Sequence, residues 1–527
     1  MLNSYALWAL VMNIYQEIDS LISSGAIRDS DDLQKFKIKL SRKYGMDRVP
    51  SNSEILNSGF VSGGARDILR LKPTRTISGV AVVAAMTSLE ICPHGRCIFC
   101  PGGLENNSPQ SYTGYEPSAL RGRSNNYDPF SITFNRLKQL ETIGHDTSKV
   151  DLIVMGGTFT AREKEYQEWF VKGCYDGMNG IQSTNLNEAM HVNETSTRRC
   201  IGLTVETKPD WFMEKDIELA LSYGTTKVEL GVQILDEHVL QINHRGHGIE
   251  EIVKSTALAR DAGLKILYHL MPGMYGTDYQ MDLKSFRQMI SDSRFMPDML
   301  KIYPTLVVKG TKLYNLWQEG QYKPMETEEA ASLIAEFMKE MPPWIRVQRM
   351  QRDIPVNFID AGVKRSDIRN IVDKMLADQG ITSKEIRGRE VGFIETETGD
   401  LSMHRIDFQA AGRKEIFLSM EGPSGQIAAY LRLRDIGEDS WYPHSRNSGM
   451  VREIRTVGRT VPVGSHDEKN FQHRGLGRTL LAEAERITGE EFHRPTILVI
   501  SGVGVREYFR KFSYDARGPY MGKNLSN

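Results

Sequence analysis

Residues 91–103 read ICPHGRCIFCPGG, and the three cysteines in that run, Cys92, Cys97 and Cys100, decide how the rest of the chain is read. The 527 residues contain only five cysteines, so three in so short a stretch form a cluster. Three thiolates on one loop can hold three irons of a [4Fe–4S] cluster, with the fourth iron open to a small molecule. Zinc and structural thiols are the other readings. Zinc usually takes a fourth Cys or His, often in paired C-x2-C form. His94 could supply it, but it lies between the cysteines and would crowd the loop.

Outward from the loop, strands alternate with helices. ISGVAVVAAMTS (77–88) is a β-rich run that leads into the cysteines, and VDLIVMGGTFTA (150–161) is a second strand ending in Gly156 and Gly157. CIGLTVETKPD (200–210) ends in Glu206, TKVELGVQ (226–233) in Gln233 and LKILYHLMPGM (264–274) in His269, Pro272 and Gly273. MLKIYPTLVVKGT (299–311) is a sixth strand, carrying Lys301 and Tyr303. Stretches of helical length such as 248–262 lie between them. Repeated strand–helix units predict a parallel sheet or barrel with its site at the strand C-termini. Six units predict a partial, open (β/α)6 barrel rather than a closed eight-stranded one.

The chemistry-bearing residues fall at those strand ends. The cysteine loop resembles that of radical S-adenosylmethionine (SAM) enzymes, although its C-x4-C-x2-C spacing differs from their commonest C-x3-C-x2-C. Gly156 and Gly157 could form a tight turn, or let a ligand's amino and carboxylate groups approach the backbone. Following the loop by one βα unit, they read as part of a SAM pocket. Glu206 and Gln233 would face the same rim. Lys301 and Tyr303, two apart on a strand, share one face.

After about residue 390 the pattern changes to hairpins (EIFLSME, QIAAYLRLRDI), a longer strand (MVREIRTVGRTVPVG) and a helix opening at QHRGLGRTLL. The segment Gln472-His473-Arg474-Gly475-Leu476-Gly477 resembles the Q/R-x-x-G-x-G/A turn of acetyl-CoA-dependent N-acetyltransferases. A helix N-terminus offers free N–H groups and a positive dipole end to a pyrophosphate. Arg474 and Arg478 add charge. The segment TILVISGVGVREYFRKFSY then supplies a strand and an aromatic-rich helix.

Composition describes an ordinary soluble enzyme: 40% hydrophobic, 25% charged, formal net charge −1. Five cysteines make no disulfide framework and suggest a reducing, cytoplasmic setting. No run is apolar and long enough to span a membrane, and the N-terminus reads as an amphipathic helix rather than a signal peptide. The net charge carries no global nucleic-acid signal, so such a partner needs local patches. Residues 1 to about 45 read as two helices, the second bearing Lys35, Lys37, Lys39, Arg42 and Lys43, followed by Lys72 and Arg75. This could track a phosphate backbone or be a solvated helix face. A second basic stretch holds Arg346, Arg349, Arg352, Lys364 and Arg365; phosphate contact and interdomain salt bridging are both open to it. The expected domains are 1–75, a helical extension; 76–320, the barrel; 321–390, a basic connector; and 391–527, a mixed α+β, GNAT-type acetyltransferase fold.

With both halves read, the chain resembles the catalytic-subunit family of the Elongator complex in its stand-alone archaeal or bacterial form. The motifs that carry the resemblance include KPTRTISGVAVVAAMTS, CPHGRCIFCPGG, MGGTFTA, VETKPD, GVQ, NHRGH, KIYPTLVVKGT, QRDIP, EIRGREVG, QHRGLGRTLL, RKFSY and GPYM. Membership implies synthesis of 5-carboxymethyluridine at the tRNA wobble position, U34, with SAM, a [4Fe–4S] cluster and acetyl-CoA. It implies that Cys92, Cys97 and Cys100 bind the cluster and that a SAM-derived radical takes a hydrogen from the acetyl methyl. The carbon radical then adds to uridine C5, and thioester hydrolysis follows. Lys301 and Tyr303 match active-site positions of the family, and Tyr508 keeps a hydroxyl suited to polarising the thioester. The expected RNA partner is a tRNA anticodon stem-loop, with one base flipped into the site. Two departures stand out. Relatives carry zinc-binding cysteines before the IR-x-RE segment, whereas SKEIRGREVG has Lys384 and none, so no structural zinc is expected. Phe509 replaces a second tyrosine. The alternative is a protein lysine acetyltransferase with a structural iron–sulfur part and Glu453 as base; a tRNA-binding scaffold is a weaker third. The sequence allows a homodimer and implies no partner subunits.

Overall fold

Seven strands, all but the last rich in β-branched or aliphatic residues, lie side by side in strict chain order: β1 Ala81–Met86, β2 Lys149–Met155, β3 Arg199–Thr207, β4 Lys227–Gln233, β5 Lys265–Leu270, β6 Met299–Ile302 and β7 Arg346–Arg349. The source of this architecture is a computed structural model, which describes residues 4–391, 400–458 and 475–525. Every neighbouring pair in this sheet is parallel. Crossover helices cover the outer face, so most strand residues are buried on both sides, as parallel sheets require. β1 and β7 do not pair, and the barrel stays open.

The half-barrel gains one strand over the six expected. Residues 346–349, read as part of a basic connector, form β7 because Ile345 and Val347 are fully buried against the core. The helix Thr327–Glu340 before it packs on the helix Tyr279–Ser291, with Phe286 and Phe337 stacked at 4.0 Å. The barrel therefore continues past residue 320.

The second sheet has the order β13-β14-β12-β11-β10-β9-β8. Its strands are β8 Ser402–Ala410, β9 Arg413–Glu421, β10 Ile427–Ile436, β11 Ser448–Thr456, β12 Thr496–Ile500, β13 Asp515–Arg517 and β14 Tyr520–Asn524. Only β11 and β12 are parallel, joined by a crossover containing the helix Leu476–Arg486. Their pairing stops at Val451 and Val499 although β11 runs on to Thr456, so the two strands part there. One face of this sheet packs on that helix through Leu431, Leu433, Val451, Leu480 and Val499.

The other face meets the half-barrel at the N-terminal ends of its strands, and here the contact is ionic. Arg452 holds Asp298 with two bonds of 2.6 and 2.8 Å and Glu415 at 2.9 Å. Arg260 reaches Glu415 at 2.8 Å, Arg434 reaches Asp261 at 2.7 Å, and Arg432 reaches Glu453 at 2.9 Å. The four guanidinium groups and Asp298 and Glu415 are almost wholly out of solvent. Such charges persist only when each is paired.

The N-terminal helices Ser4–Ser23, Ser30–Lys43, Asn52–Leu56 and Gly63–Leu69 enclose their own core of Ile14, Ile18, Leu33, Leu40, Ile55 and Leu69. Asp29 caps the second through Asp31 N and Asp32 N, and a Ser51–Glu54 capping box starts the third. Lys37 falls on the buried stripe with Leu33 and Leu40, four and three residues away, and donates to Asn52 Oδ1 at 2.8 Å. It is therefore not a surface cation, whereas Lys35, Lys39, Arg42 and Lys43 lie on the open face. No helix among the described residues is long and apolar enough to cross a membrane.

Candidate active site

The cysteine loop follows β1 and closes over the C-terminal ends of the barrel strands. Cys97 and Cys100 are buried and Cys92 is half-buried, and all three line one cavity. Each sulfur is met by a donor. Arg245 Nη1 lies 3.2 Å from Cys97 Sγ, Ser111 N lies 3.1 Å from Cys100 Sγ, and Thr158 Oγ1 lies 3.5 Å from Cys92 Sγ. Burial pushes the Cys92 thiol up and the Cys100 thiol to about 11, so these positions need added positive charge to hold thiolates. Three convergent sulfurs with N–H donors around them are the donor set of a cluster with one open iron, and the residues present fit it. His94 Nε2 sits 3.2 Å from Cys97 Sγ, so the imidazole lies against the thiols rather than clear of them. Burial and then Lys208 and Arg245 depress it to about 3. Cys174 and Cys200 are buried elsewhere, their thiols pushed up to about 12 by burial.

The two glycines after β2 divide their roles. Gly157 (φ 82°) lines the cavity, and a Cβ there would stand 3.5 Å from Cys92 Sγ. Gly156 (φ 129°) is turned against Thr87 at the end of β1 and leaves no room for a side chain. Both backbones occupy the region favouring glycine.

Below the cysteines, inward residues of four strands meet. Lys301 on β6 is in contact with Glu229 on β4 and lies 3.6 Å from Glu206 on β3. His269 Nε2 on β5 approaches Glu229 Oε2 at 2.9 Å, and Lys227 lies 3.5 Å from Glu229 Oε1. The Tyr303 ring packs edge-on to His269, centroids 5.5 Å apart. Tyr112, from the cysteine loop, donates to Glu206 at 2.8 Å. Burial opposes a charged Lys301, but Glu229 outweighs it and lifts the ammonium above its ordinary range. Burial likewise raises the Tyr303 phenol, which stays protonated. Glu206, Glu229 and His269 present ligand atoms within 4.8 Å of one another, and the cation found among the carboxylates is Lys301 itself.

Gln233 also lines the cavity, in a strained left-handed conformation (φ 71°) at a break in the β4–β5 register. Its Oε1 is buried without a partner among the described residues. Glu229 and Arg245 are among the residues of this constellation missed from the sequence. Glu229 shares strand parity with Gly231, and following period two back from the GVQ motif would have found it. Arg245, inside NHRGH, reaches Cys97 because Gly231 leaves space: a Cβ there would stand 2.9 Å from Arg245 Nη2.

Of the second basic stretch, Arg349 and Arg352 line the same cavity. Arg349 pairs with Asp353, and Arg352 donates to the Ser111 carbonyl. Arg346 is a correction. It is buried, with its fork closed on Glu390 at 2.9 and 3.1 Å, and so is not available to a phosphate. Lys364 and Arg365 are exposed, as are Lys72 and Arg75.

In the second sheet, Gly475 (φ 77°) precedes the helix Leu476–Arg486, which leaves N–H groups free at its start. Leu476 is buried and anchors it, and Arg478 is exposed. A Cβ at Gly477 would stand 2.8 Å from the Tyr508 hydroxyl, so that hydroxyl lies over the helix N-terminus. Phe509 points the other way, into the core. Gln472, His473 and Arg474 lie outside the described residues. Glu453 is engaged by Arg432 and by the Tyr430 hydroxyl at 3.2 Å. Burial would raise its carboxyl, but Arg432, Lys265 and Arg455 hold it below the usual range. A carboxylate so stabilised is a poor general base, which weakens the lysine acetyltransferase alternative.

An open parallel half-barrel with three cysteines over its C-terminal rim defines a radical SAM protein. The Radical SAM superfamily matches residues 86–287, its C-terminal domain residues 297–378, and the ELP3 N-terminal domain residues 11–77. The chain is 45% identical to the tRNA uridine(34) acetyltransferase of Methanocaldococcus jannaschii, covering 98% of each. It is 39% identical to the human Elongator complex protein 3, over 98% of this chain and 97% of that protein. The solved archaeal Methanocaldococcus infernus Elp3 with N-terminus deletion (1-46) superposes with a TM-score of 0.75 at 43% identity, covering 85% of this chain and 100% of that one. The chain belongs to the Elongator complex protein 3 family of radical SAM enzymes. Membership of that superfamily implies SAM and a [4Fe–4S] cluster.

Proposed function

We propose that this chain makes 5-carboxymethyluridine at the wobble position, U34, of tRNA, taking the carbon unit from acetyl-CoA. The observation that carries this reading is one cavity holding both the cysteine thiols and the Lys301–Glu229–Tyr303 group, on a chain that also has a GNAT-type crossover. The names of the archaeal relatives support the choice of uridine 34.

Cys92, Cys97 and Cys100 would hold the cluster, and SAM bound there would supply a carbon radical able to take a hydrogen from an acetyl methyl. Arg245, Thr158 and Ser111 N stabilise the thiolates by hydrogen bonding. Gly157, Glu206 and Gln233 line the floor on which SAM would sit, with Gly156 packed on Thr87 behind it. Lys301, fixed by Glu229, offers a permanent cation to a carbonyl oxygen, and Tyr303 a neutral hydroxyl. Lys301, Glu229 and Tyr303 are themselves buried, which limits the approach of water to a reactive carbon centre beside them.

Acetyl-CoA would bind at Gly475, Leu476, Gly477 and Arg478, with Gln472, His473 and Arg474 completing the pyrophosphate turn. Tyr508 would polarise the thioester. Gly477→Ala should raise KM for acetyl-CoA hydrolysis by about tenfold or more while leaving SAM cleavage intact, because the new Cβ displaces the Tyr508 hydroxyl. An unchanged KM in steady-state assays would remove Tyr508 from the acyl site. Lys35, Lys39, Arg42, Lys43, Lys72, Arg75, Arg349, Arg352, Lys364 and Arg365 would meet phosphates of the anticodon stem-loop in the cytoplasm.

The deciding experiment incubates anaerobically reconstituted protein with unmodified tRNA, SAM, reductant and methyl-deuterated acetyl-CoA. Nucleoside mass spectrometry should find partly labelled carboxymethyluridine at position 34, absent with Cys97→Ala. Lysine acetylation surviving in that variant, with no modified uridine in either, would reverse the reading.

A further inference from the structure

A second cavity lies beside the first and shares Arg352 with it. Its floor is apolar, made by Leu306, Ile354, Val356 and Ile359, and its rim carries Lys364 and Arg365. Tyr303 lines the first cavity and the next residue, Pro304, lines the second, so the end of β6 and Arg352 form the wall between them. Val356 is left 48% exposed, although it closes an apolar surface. Lys364 is exposed and has no ion-pair partner among the described residues. Arg365 is held in a fixed orientation by Asp367 at 2.7 and 2.8 Å.

Next to this cavity stands a stacked aromatic pair. Phe358, in the same short turn as Val356, lies 3.9 Å from Tyr115 between ring centroids, at 16°. Tyr115 comes from the cysteine loop and remains 46% exposed. The slot encloses only about 30 Å³, too little to bury a base. An apolar slot with a cationic rim and an open aromatic face instead holds single-stranded nucleotides by stacking, with the base laid over the apolar and aromatic surface and the phosphate against the cations.

We infer that this second cavity binds the nucleotide adjoining the target uridine. The assignment rests on the RNA-modifying reading above. A base drawn out of its stack into the first cavity costs a few kcal/mol, and seating its neighbour across the shared wall offsets part of that cost. Arg352, touching both cavities, would lie against the phosphate linking the two nucleotides. The cavity thereby makes the enzyme require an unpaired neighbour, which a double-stranded helix cannot provide.

The test uses the full chain and a synthetic anticodon stem-loop carrying 4-thiouridine at the target or at either neighbour. Irradiation and peptide mass spectrometry locate each crosslink. A neighbour probe should crosslink within residues 351–366 or to Tyr115, and the target probe in the first cavity. Val356→Asp, at an exposed position given no other role, should weaken RNA binding by about tenfold and leave RNA-independent SAM cleavage unchanged. Target crosslinks in the first cavity with neighbour crosslinks elsewhere, or wild-type affinity in Val356→Asp, would overturn the second site alone. Absence of any RNA crosslink would overturn it together with the RNA reading.

Discussion

Lys301→Met is expected to lower carboxymethyluridine formation by about 10²–10³-fold while the chain stays folded. Removing one preorganised donor from a water-excluded site has that size of effect. Here the donor is a buried ammonium already in place before substrate arrives, bound to Glu229 and 3.6 Å from Glu206. The variant also takes the shared cation from Glu229 and Glu206, leaving them His269, Lys227 and Tyr112, so some stability is lost with the activity. Lys301→Met combined with Glu229→Gln separates the two effects. The pair of neutral residues should recover much of the unfolding midpoint, yet recover no product. SAM cleavage, followed by chromatography, should continue in both variants, because the donors to the cysteine sulfurs are untouched. Product within about threefold of wild type in Lys301→Met would exclude Lys301 from the chemistry.

Asp298→Ala should be the most damaging single change to stability, costing about 3–5 kcal/mol, the range for breaking a buried pair from one side. The carboxylate accepts two bonds from Arg452 and one from Ile266 N at 2.8 Å, and Arg260 and Arg432 both lie 3.7 Å away. Burial would raise its pKa, but Arg452, Arg260 and Arg432 outweigh that and hold it far below the ordinary 3.8. Glu415 is depressed in the same way from 4.5, with burial opposed first by Arg452. Each group thus has a folded pKa below its unfolded one. Their stabilisation is complete above the unfolded values and is lost as pH falls toward the folded ones. Resistance to urea unfolding should therefore fall steeply below about pH 4 in the wild type. The fall should be shallower in Asp298→Ala, which has already lost one of the two acids. A change under about 1 kcal/mol near neutral pH would mean that the halves are held by apolar contact instead.

Much of this architecture was readable before any coordinates, and the reasons differ by element. The six expected strands are continuous apolar runs punctuated by glycine, the pattern of a sheet buried on both faces. β7 escaped because RVQR carries more charge than apolar surface, and its place depends on Arg346 finding Glu390, some forty residues on. Cys92, Cys97 and Cys100 were legible because rare residues at close spacing have few explanations. Lys301 and Tyr303 were legible through family resemblance, whereas Glu229 looked like any strand glutamate until β6 brought a lysine to it. Lys37 looked basic and exposed. Its four-residue spacing from Leu33 was the sign that it faced inward. The seam arginines of the second sheet could not be assigned partners from sequence, since their acids lie up to 173 residues away.

The ionic seam also has a consequence for how the chain is born. Asp298 leaves the ribosome 154 residues ahead of Arg452. At about 5–20 residues per second, that is a wait of roughly 8–30 s. During the wait the half-barrel displays an acidic end with no cover for it, and its own Arg260 is the main compensation nearby. Translation speed across residues 299–452 then sets how long that end is open to wrong partners, a sensitivity that belongs to the gene's codons as much as to the folded molecule.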